Sequence, residues 1–228
     1  MTGAGKGIGR ATALAFARAG ADVIALSRTE DDLSALRAAA GNHALRTFRG
    51  DVSDDRQIHS VGDSNLTRVS VLVNNAAVLT AKSSIQKVST EDWDLSFAVN
   101  VRGAFLMMKA VLPGMLERRS GLIINVSSGA GRRPAPGWGP YAVSKGALEA
   151  LTAQAAAELN GTGVAVVSVD PGGTRTRMRA AAYPAEDPNV LPTPEETAAF
   201  LLDIACRPDW AALNGEALSF REWKSARR

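Results

Sequence analysis

A chain of 228 residues, 46% hydrophobic and 21% charged, has room for one well-buried α/β domain but not for a nucleotide domain joined to a separate substrate domain of ordinary size. The net charge of +3 is small for that length, and behind the pI of 9.3 the arginines are scattered apart from short clusters at Arg118–Arg119, Arg132–Arg133, Arg175–Arg179 and Arg227–Arg228. Solvated faces account for these clusters, so neither a nucleic-acid partner nor a membrane partner is expected.

Cysteine usage narrows the setting further: Cys206 is the single cysteine, which excludes an internal disulfide and points to a reducing compartment, the cytoplasm. Two histidines leave little for His-based metal sites or Ser-His-Asp triads, and no metal site is expected. No apolar segment reads as long enough to span a bilayer, and no basic-then-apolar leader is evident.

In chain order, Thr2-Gly3-Ala4-Gly5-Lys6-Gly7-Ile8-Gly9 is a glycine-rich turn that leads into an apolar-periodic helix over Arg10–Ala19. Val23–Leu26 reads as a strand, followed by a helix over Glu30–Ala40 with Thr29 as its cap and a weaker strand over His43–Arg49. The stretch between Asp51 and Asn74, with Gly62 and Asn65 inside it, looks short for a crossover helix. Val69–Val73 is a short continuous apolar run, the pattern of a strand buried on both faces. A long helix over Leu95–Glu117, a strand over Leu122–Val126, a helix over Pro140–Leu159 and a strand over Val164–Val169 follow. The Arg-, Ala- and Pro-rich stretch Gly172–Pro192, about twenty residues, is expected to be a mobile substrate-binding lid. Thr193 opens a helix with Pro194 first and Glu196 third, and Ala217–Phe220 reads as the last strand. Strands alternating with helices, without repeats, predict one α/β domain over 1–228 with a doubly wound parallel sheet of the Rossmann type.

Two local patterns carry chemistry. Glycines in a turn let backbone approach a pyrophosphate, and the helix N-terminus behind them offers free N–H groups and partial positive charge. The strand expected before such a turn is absent, since Met1 stands where it should end. In a dinucleotide fold that strand lies mid-sheet, so its loss leaves both neighbours with unpaired backbone groups. The expectation is therefore a late start, such as a GTG valine codon read as methionine, with roughly five to eight apolar residues encoded upstream. The second pattern is Tyr141 with Lys145, four apart on a helix and so on one face, where an ammonium beside a phenol makes a general acid.

Together the glycine turn, Asn74-Asn75-Ala76-Ala77, Asn100, Ser127-Ser128, Tyr141/Lys145 and Pro171-Gly172 follow one order across nearly the whole chain, and the sequence resembles the short-chain dehydrogenase/reductase family. The resemblance implies a seven-stranded parallel sheet, a dimer or tetramer built through the two long helices, and hydride transfer between a nicotinamide cofactor and a carbonyl or alcohol. By position it makes Tyr141 the acid/base and gives Lys145 two tasks, lowering the tyrosine pKa and holding the nicotinamide ribose. Ser128 would orient the reacting oxygen, with Ser127 as its fallback, and Asn100 would bend its helix and hold a relay water. Gly3, Gly7, Ile8 and Gly9 match the pyrophosphate turn, Asp51 and Val52 the adenine contact, Asn75 and Ala76 the path to the ribose, and Pro171, Gly172, Thr174 and Thr176 the carboxamide segment.

NAD-preferring members place an acid at the end of the second strand; here Ser27 and Arg28 stand there, and Arg28 with Lys6 would pair with a 2′-phosphate, so NADP(H) is favoured. Val78, Leu79, Trp138 and Met178 are expected around a partly apolar pocket, with Arg132 and Arg133 able to meet an anion. The opening motif and Ser27-Arg28-Thr29 look like the dicarbonyl/xylulose reductase branch, whereas Pro171–Thr176 looks like a less characterised bacterial branch. The competing class is a catalytically silent NADP(H) sensor, which usually lacks the tyrosine or lysine retained here.

Overall fold

The structure, a computed structural model, describes residues 1–80, 82–133 and 135–227. Helix α1 (Gly7–Arg18) rises directly from the glycine turn and buries Ala11, Ala13, Leu14 and Ala17. Strand β1 (Val23–Ser27), helix α2 (Glu30–Ala40) and strand β2 (Leu45–Arg49) form a βαβ unit with parallel strands, Val23 opposite Leu45. Thr29 has the backbone of an N-cap, but its hydroxyl makes no capping bond; Glu30, Asp31 and Asp32 instead set negative charge against the helix N-terminus. Two short helices, α3 (Asp55–His59) and α4 (Asp63–Leu66), lead into β3 (Val71–Asn74).

Helix α5 (Thr90–Phe97), a π-turn over Ala98–Arg102 and helix α6 (Gly103–Glu117) run on as one rod. It starts earlier than Leu95 because Ser89 accepts the amide of Asp92 and caps a polar first turn that apolar periodicity misses. This rod corrects an expectation: Thr90–Glu117 is 28 residues with a mean hydropathy of 1.4 in its most apolar stretch, long and apolar enough by length and composition to cross a membrane. Arg102 and Lys109 break it into shorter apolar pieces in the sequence. In the fold half of that stretch is buried, with Leu106, Met107, Val111 and Met115 packed into the core.

Strand β4 (Gly121–Val126), helices α7 (Gly129–Arg132) and α8 (Gly139–Glu158), strand β5 (Val164–Asp170), helices α9 (Arg177–Ala182) and α10 (Pro194–Ala205), strand β6 (Ala217–Ser219) and helix α11 (Phe220–Ser225) complete the chain. Strands β3-β4-β5-β6 form a parallel sheet with Ile123 opposite Val166 and Val169 opposite Leu218. Alternation divides the core. Ile123 and Val166 face the α6 side, while Leu122, Ile124 and Val167 meet Phe200, Leu201 and Ile204 of α10. Within Gly172–Pro192, Thr176 caps α9 through the amide of Arg179, and Arg179 makes two 2.6 Å bonds to Glu186.

The implied seven-stranded sheet is, among the described residues, six strands in two sheets of two and four. Only Met1 and Thr2 lie between β1 and β3. The Thr2 amide donates to Val73 (3.1 Å), the Leu26 amide to the Met1 carbonyl (2.9 Å), and the Met1 ammonium to the Ile24 carbonyl (2.8 Å). Beyond them a cavity of about 380 Å³ runs between the two sheet edges, lined by Ile24, Val69, Val71, Met107 and Val111.

Candidate active site

The glycine turn is held by side chains as well as by its own backbone. Gly3 and Gly7 have φ of +63° and +52°, and a Cβ on Gly9 would lie 2.1 Å from the Gly3 carbonyl oxygen, so a side chain is excluded there. The buried Thr2 hydroxyl accepts the amides of Asn75 and Ala76, both at 3.0 Å. In return the Asn75 side-chain amide donates to the carbonyls of Thr2 (3.1 Å) and Gly3 (3.3 Å). The turn and the end of β3 are thereby one unit. Ile8 sends its side chain into the core beside α10, leaving its backbone for the turn.

A cleft of about 180 Å³ opens over the turn, bordered by Gly3, Lys6, Ser27, Arg28, Asp51 and Val52. Both cations expected to meet a phosphate are paired with carboxylates, Lys6 with Asp32 at 3.1 Å and Arg28 with Asp51 at 3.6 Å. Burial acts to raise the Asp51 carboxyl, but hydrogen bonds from Ser53 and the charge of Arg28 outweigh it and hold the pKa below the usual carboxylate value. Val52 fixes its own place by filling the space above Gly103. On the far side of the turn the Thr176 methyl lies 3.2 Å from where a Gly7 side chain would begin. Thr174 is buried and bonded to Thr197 (3.0 Å) and to the Pro171 carbonyl (3.3 Å), which anchors Pro171-Gly172 to α10.

Helix α8 carries Tyr141 and Lys145, both buried at 8% and 2% exposed. The lysine ammonium is 5.8 Å from the phenol ring centre and donates to the Val126 carbonyl at 2.7 Å. The Ser128 hydroxyl is hydrogen-bonded to the Tyr141 phenol and caps α7 through the Ala130 amide. Ser127 turns the other way, its hydroxyl donating to the Lys145 carbonyl. Burial raises the phenol pKa, Ser128 partly offsets that, and Asp170 raises it further. Burial also lowers Lys145 to about 8, against the charge of Glu149. The arrangement keeps the phenol protonated.

Asn100 sits in the π-turn, and its amide is committed to protein: it accepts from the Val78 amide (2.8 Å) and donates to the Val78 carbonyl (3.0 Å) and the Ser144 hydroxyl (2.9 Å). Ser144 in turn donates to the Tyr141 carbonyl at 2.8 Å. Asn100 therefore ties the loop after β3 to the helix bearing the tyrosine.

Several participants escape the sequence. Ser144 shows nothing beyond adjacency to Lys145. Glu149 lies one turn beyond Lys145, a spacing that hints at contact. It accepts from Arg132 (3.0 Å) and from Ser168 (2.6 Å), so Arg132 serves a partner and not merely solvent. Trp138 packs 5.6 Å from Tyr141 and 5.8 Å from Tyr183, which the sequence did not single out.

A dinucleotide turn, a parallel sheet and a Tyr/Lys/Ser cluster at the C-terminal strand ends define an α/β nucleotide-dependent oxidoreductase. The family model for short chain dehydrogenase matches residues 1–187. Among curated relatives, an NADPH-dependent pterin aldehyde reductase of Arabidopsis thaliana is 36% identical over 78% of this chain and 75% of its own length. An L-xylulose reductase of Mesocricetus auratus is 39% identical over 78% of this chain and 72% of its own. A short chain dehydrogenase structure from Salmonella enterica serovar Typhi superposes with a TM-score of 0.89 at 32% identity, covering 96% of this chain and 93% of that one. The chain belongs to the short-chain dehydrogenase family and is an oxidoreductase acting on CH–OH and C=O groups.

Proposed function

We propose that the chain is an NADP(H)-dependent carbonyl reductase or alcohol dehydrogenase in which Tyr141 is the acid/base. The observation that carries this reading is the grouping of Tyr141, Ser128 and Lys145, with tyrosine and lysine both buried and the lysine ammonium 5.8 Å from the phenol ring centre. The turn fits a pyrophosphate, since its backbone leaves no room for a Cβ at Gly9 and Gly3, Gly5 and Lys6 border an open cleft at the start of α1. When bound, the nicotinamide supplies or accepts hydride. Around it Gly3, Gly7, Ile8 and Gly9 hold the diphosphate through backbone, Asp51 and Val52 the adenine side, and Asn75, Ala76, Pro171, Gly172, Thr174 and Thr176 the ribose and carboxamide end. Ser128 hydrogen-bonds the reacting oxygen, and Tyr141 gives it a proton as hydride arrives or removes one in reverse. Lys145 holds the ribose hydroxyls and replenishes the phenol's proton, while Asn100 fixes the loop and helix on either side.

NADP(H) is preferred over NAD(H) because Arg28 and Lys6, with no acid at Ser27, can turn from their carboxylates to a 2′-phosphate; the relative named as NADPH-dependent supports this. Exposed Phe105 and Leu116 on α6 and Val143 on α8 support assembly of the long helices into a homodimer or homotetramer. The free, exposed Cys206 suits the cytoplasm. The silent-sensor reading is not favoured, because the tyrosine and lysine are both present in one site. The test is a panel of aldehydes, ketones and diketones with NADPH. Wild type should oxidise NADPH against at least one, and Tyr141→Phe should lose ~10²- to 10⁴-fold in kcat while NADPH affinity stays within about threefold. NADPH binding without turnover of any panel member, or a Tyr141→Phe protein as fast as wild type, would overturn the reading.

A further inference from the structure

Lys82 follows β3 and reaches across to the end of α9. Its ammonium is 4.7 Å from the Trp138 ring centre and 4.5 Å from the Tyr183 ring centre, and 3.5 Å from the Ala182 carbonyl. No carboxylate lies within ion-pair distance of it among the described residues. Arg179, 3.9 Å from the same Tyr183 ring, is by contrast bound twice by Glu186. Lys82, itself exposed, thus brings a positive charge without a carboxylate partner to the Trp138 and Tyr183 rings. Two aromatic faces hold it there, an arrangement that stabilises an ammonium without consuming its charge. Trp138 also packs against Tyr141, so the same indole neighbours both the Lys82 ammonium and the phenol ring.

We propose that the substrate carries an oxyanion, a carboxylate, sulfonate or phosphate, on the part of the molecule remote from its reacting carbonyl, and that Lys82 binds that group. The inference rests on the oxidoreductase site proposed above and adds the substrate's charge. Lys82 acts through a charge-assisted hydrogen bond made equally before and during reaction, so it sets KM and leaves kcat. Lys82 is exposed, and Trp138, Tyr183 and the Ala182 carbonyl hold its ammonium in place, linking the loop after β3 to α9.

The test uses the NADPH-loaded protein with two readouts. Levulinate and methyl levulinate, a matched acid and ester, report turnover; benzoate, benzenesulfonate and phenyl phosphate against benzamide report binding by calorimetry without any reaction, and separate the three oxyanions. Wild type should favour the acid over the ester and bind at least one of the anions more tightly than benzamide. Lys82→Met should cut that preference about 10- to 100-fold through KM or Kd. Lys82→Arg should restore most of it. An unchanged anion-to-neutral ratio in Lys82→Met, or wild type favouring the neutral partner in both readouts, would overturn the proposal. Failure to turn over any carbonyl while anion binding still depends on Lys82 would count against the oxidoreductase reading and leave the anion site standing.

Discussion

Arg28 is exposed and tethered to Asp51 at 3.6 Å, a pair that contributes little stability in water and costs little to open. A 2′-phosphate arriving beside Ser27 offers the guanidinium a doubly charged, bidentate partner in place of one carboxylate oxygen. Lys6 faces the same exchange with Asp32. Replacing Arg28 by Ala should lower kcat/KM for NADPH about 10- to 100-fold, the scale of one charge-assisted bond, and change that for NADH less than threefold. Paired steady-state assays with both cofactors check this. A wild type favouring NADH tenfold or more, or an Arg28→Ala protein that loses both cofactors equally, would remove Arg28 as the selector.

At the scale of elements, the glycine turn works only as part of α1 and β3. Gly9 is helical, yet a methyl there meets the Gly3 carbonyl oxygen at 2.1 Å and the Asn75 amide nitrogen at 2.5 Å. Neither can retreat without opening the bonds that fasten the turn to β3. Gly9→Ala is therefore expected to weaken NADPH binding at least about tenfold and to lower Tm, since the clash is with backbone. Gly146 in α8 is the contrast. Its added methyl would touch the Gly131 carbonyl oxygen at an ordinary 3.4 Å, and Gly146→Ala should be neutral or stabilising by up to ~1 kcal/mol. Thermal melts and NADPH fluorescence titration of the two variants decide it. The same contrast explains what the sequence revealed. Strands β4 and β5 were legible because a strand buried on both faces must be continuously apolar. The start of α10 was legible because Thr193, Pro194 and Glu196 form a capping box that needs no tertiary partner. Motif spacing located Tyr141, Lys145 and Ser128 for the same reason. Helices α3 and α4 are too short to show a period, and α9 lies in a stretch whose Arg, Ala and Pro content reads as loop. The Arg132, Glu149 and Ser168 cluster joins three elements distant in sequence, and the aromatic setting of Lys82 joins three more. Such contacts exist only after folding, so no local pattern announces them.

Across the whole molecule, the gap between β1 and β3 is the largest departure from a continuous sheet. Met1 and Thr2 bridge it, Thr2 pairing with Leu26 and its amide donating to the Val73 carbonyl. Roughly six β-branched apolar residues placed before Met1 would pair the free edges of β1 and β3 and fill the cavity of about 380 Å³. The chain so extended should melt at least about 5 °C higher. Hydrogen exchange should show the amides of β1 and β3 newly protected. If extension leaves Tm and exchange unchanged, the gap is not a strand's berth, and the two sheets stand as separate halves joined through Thr2.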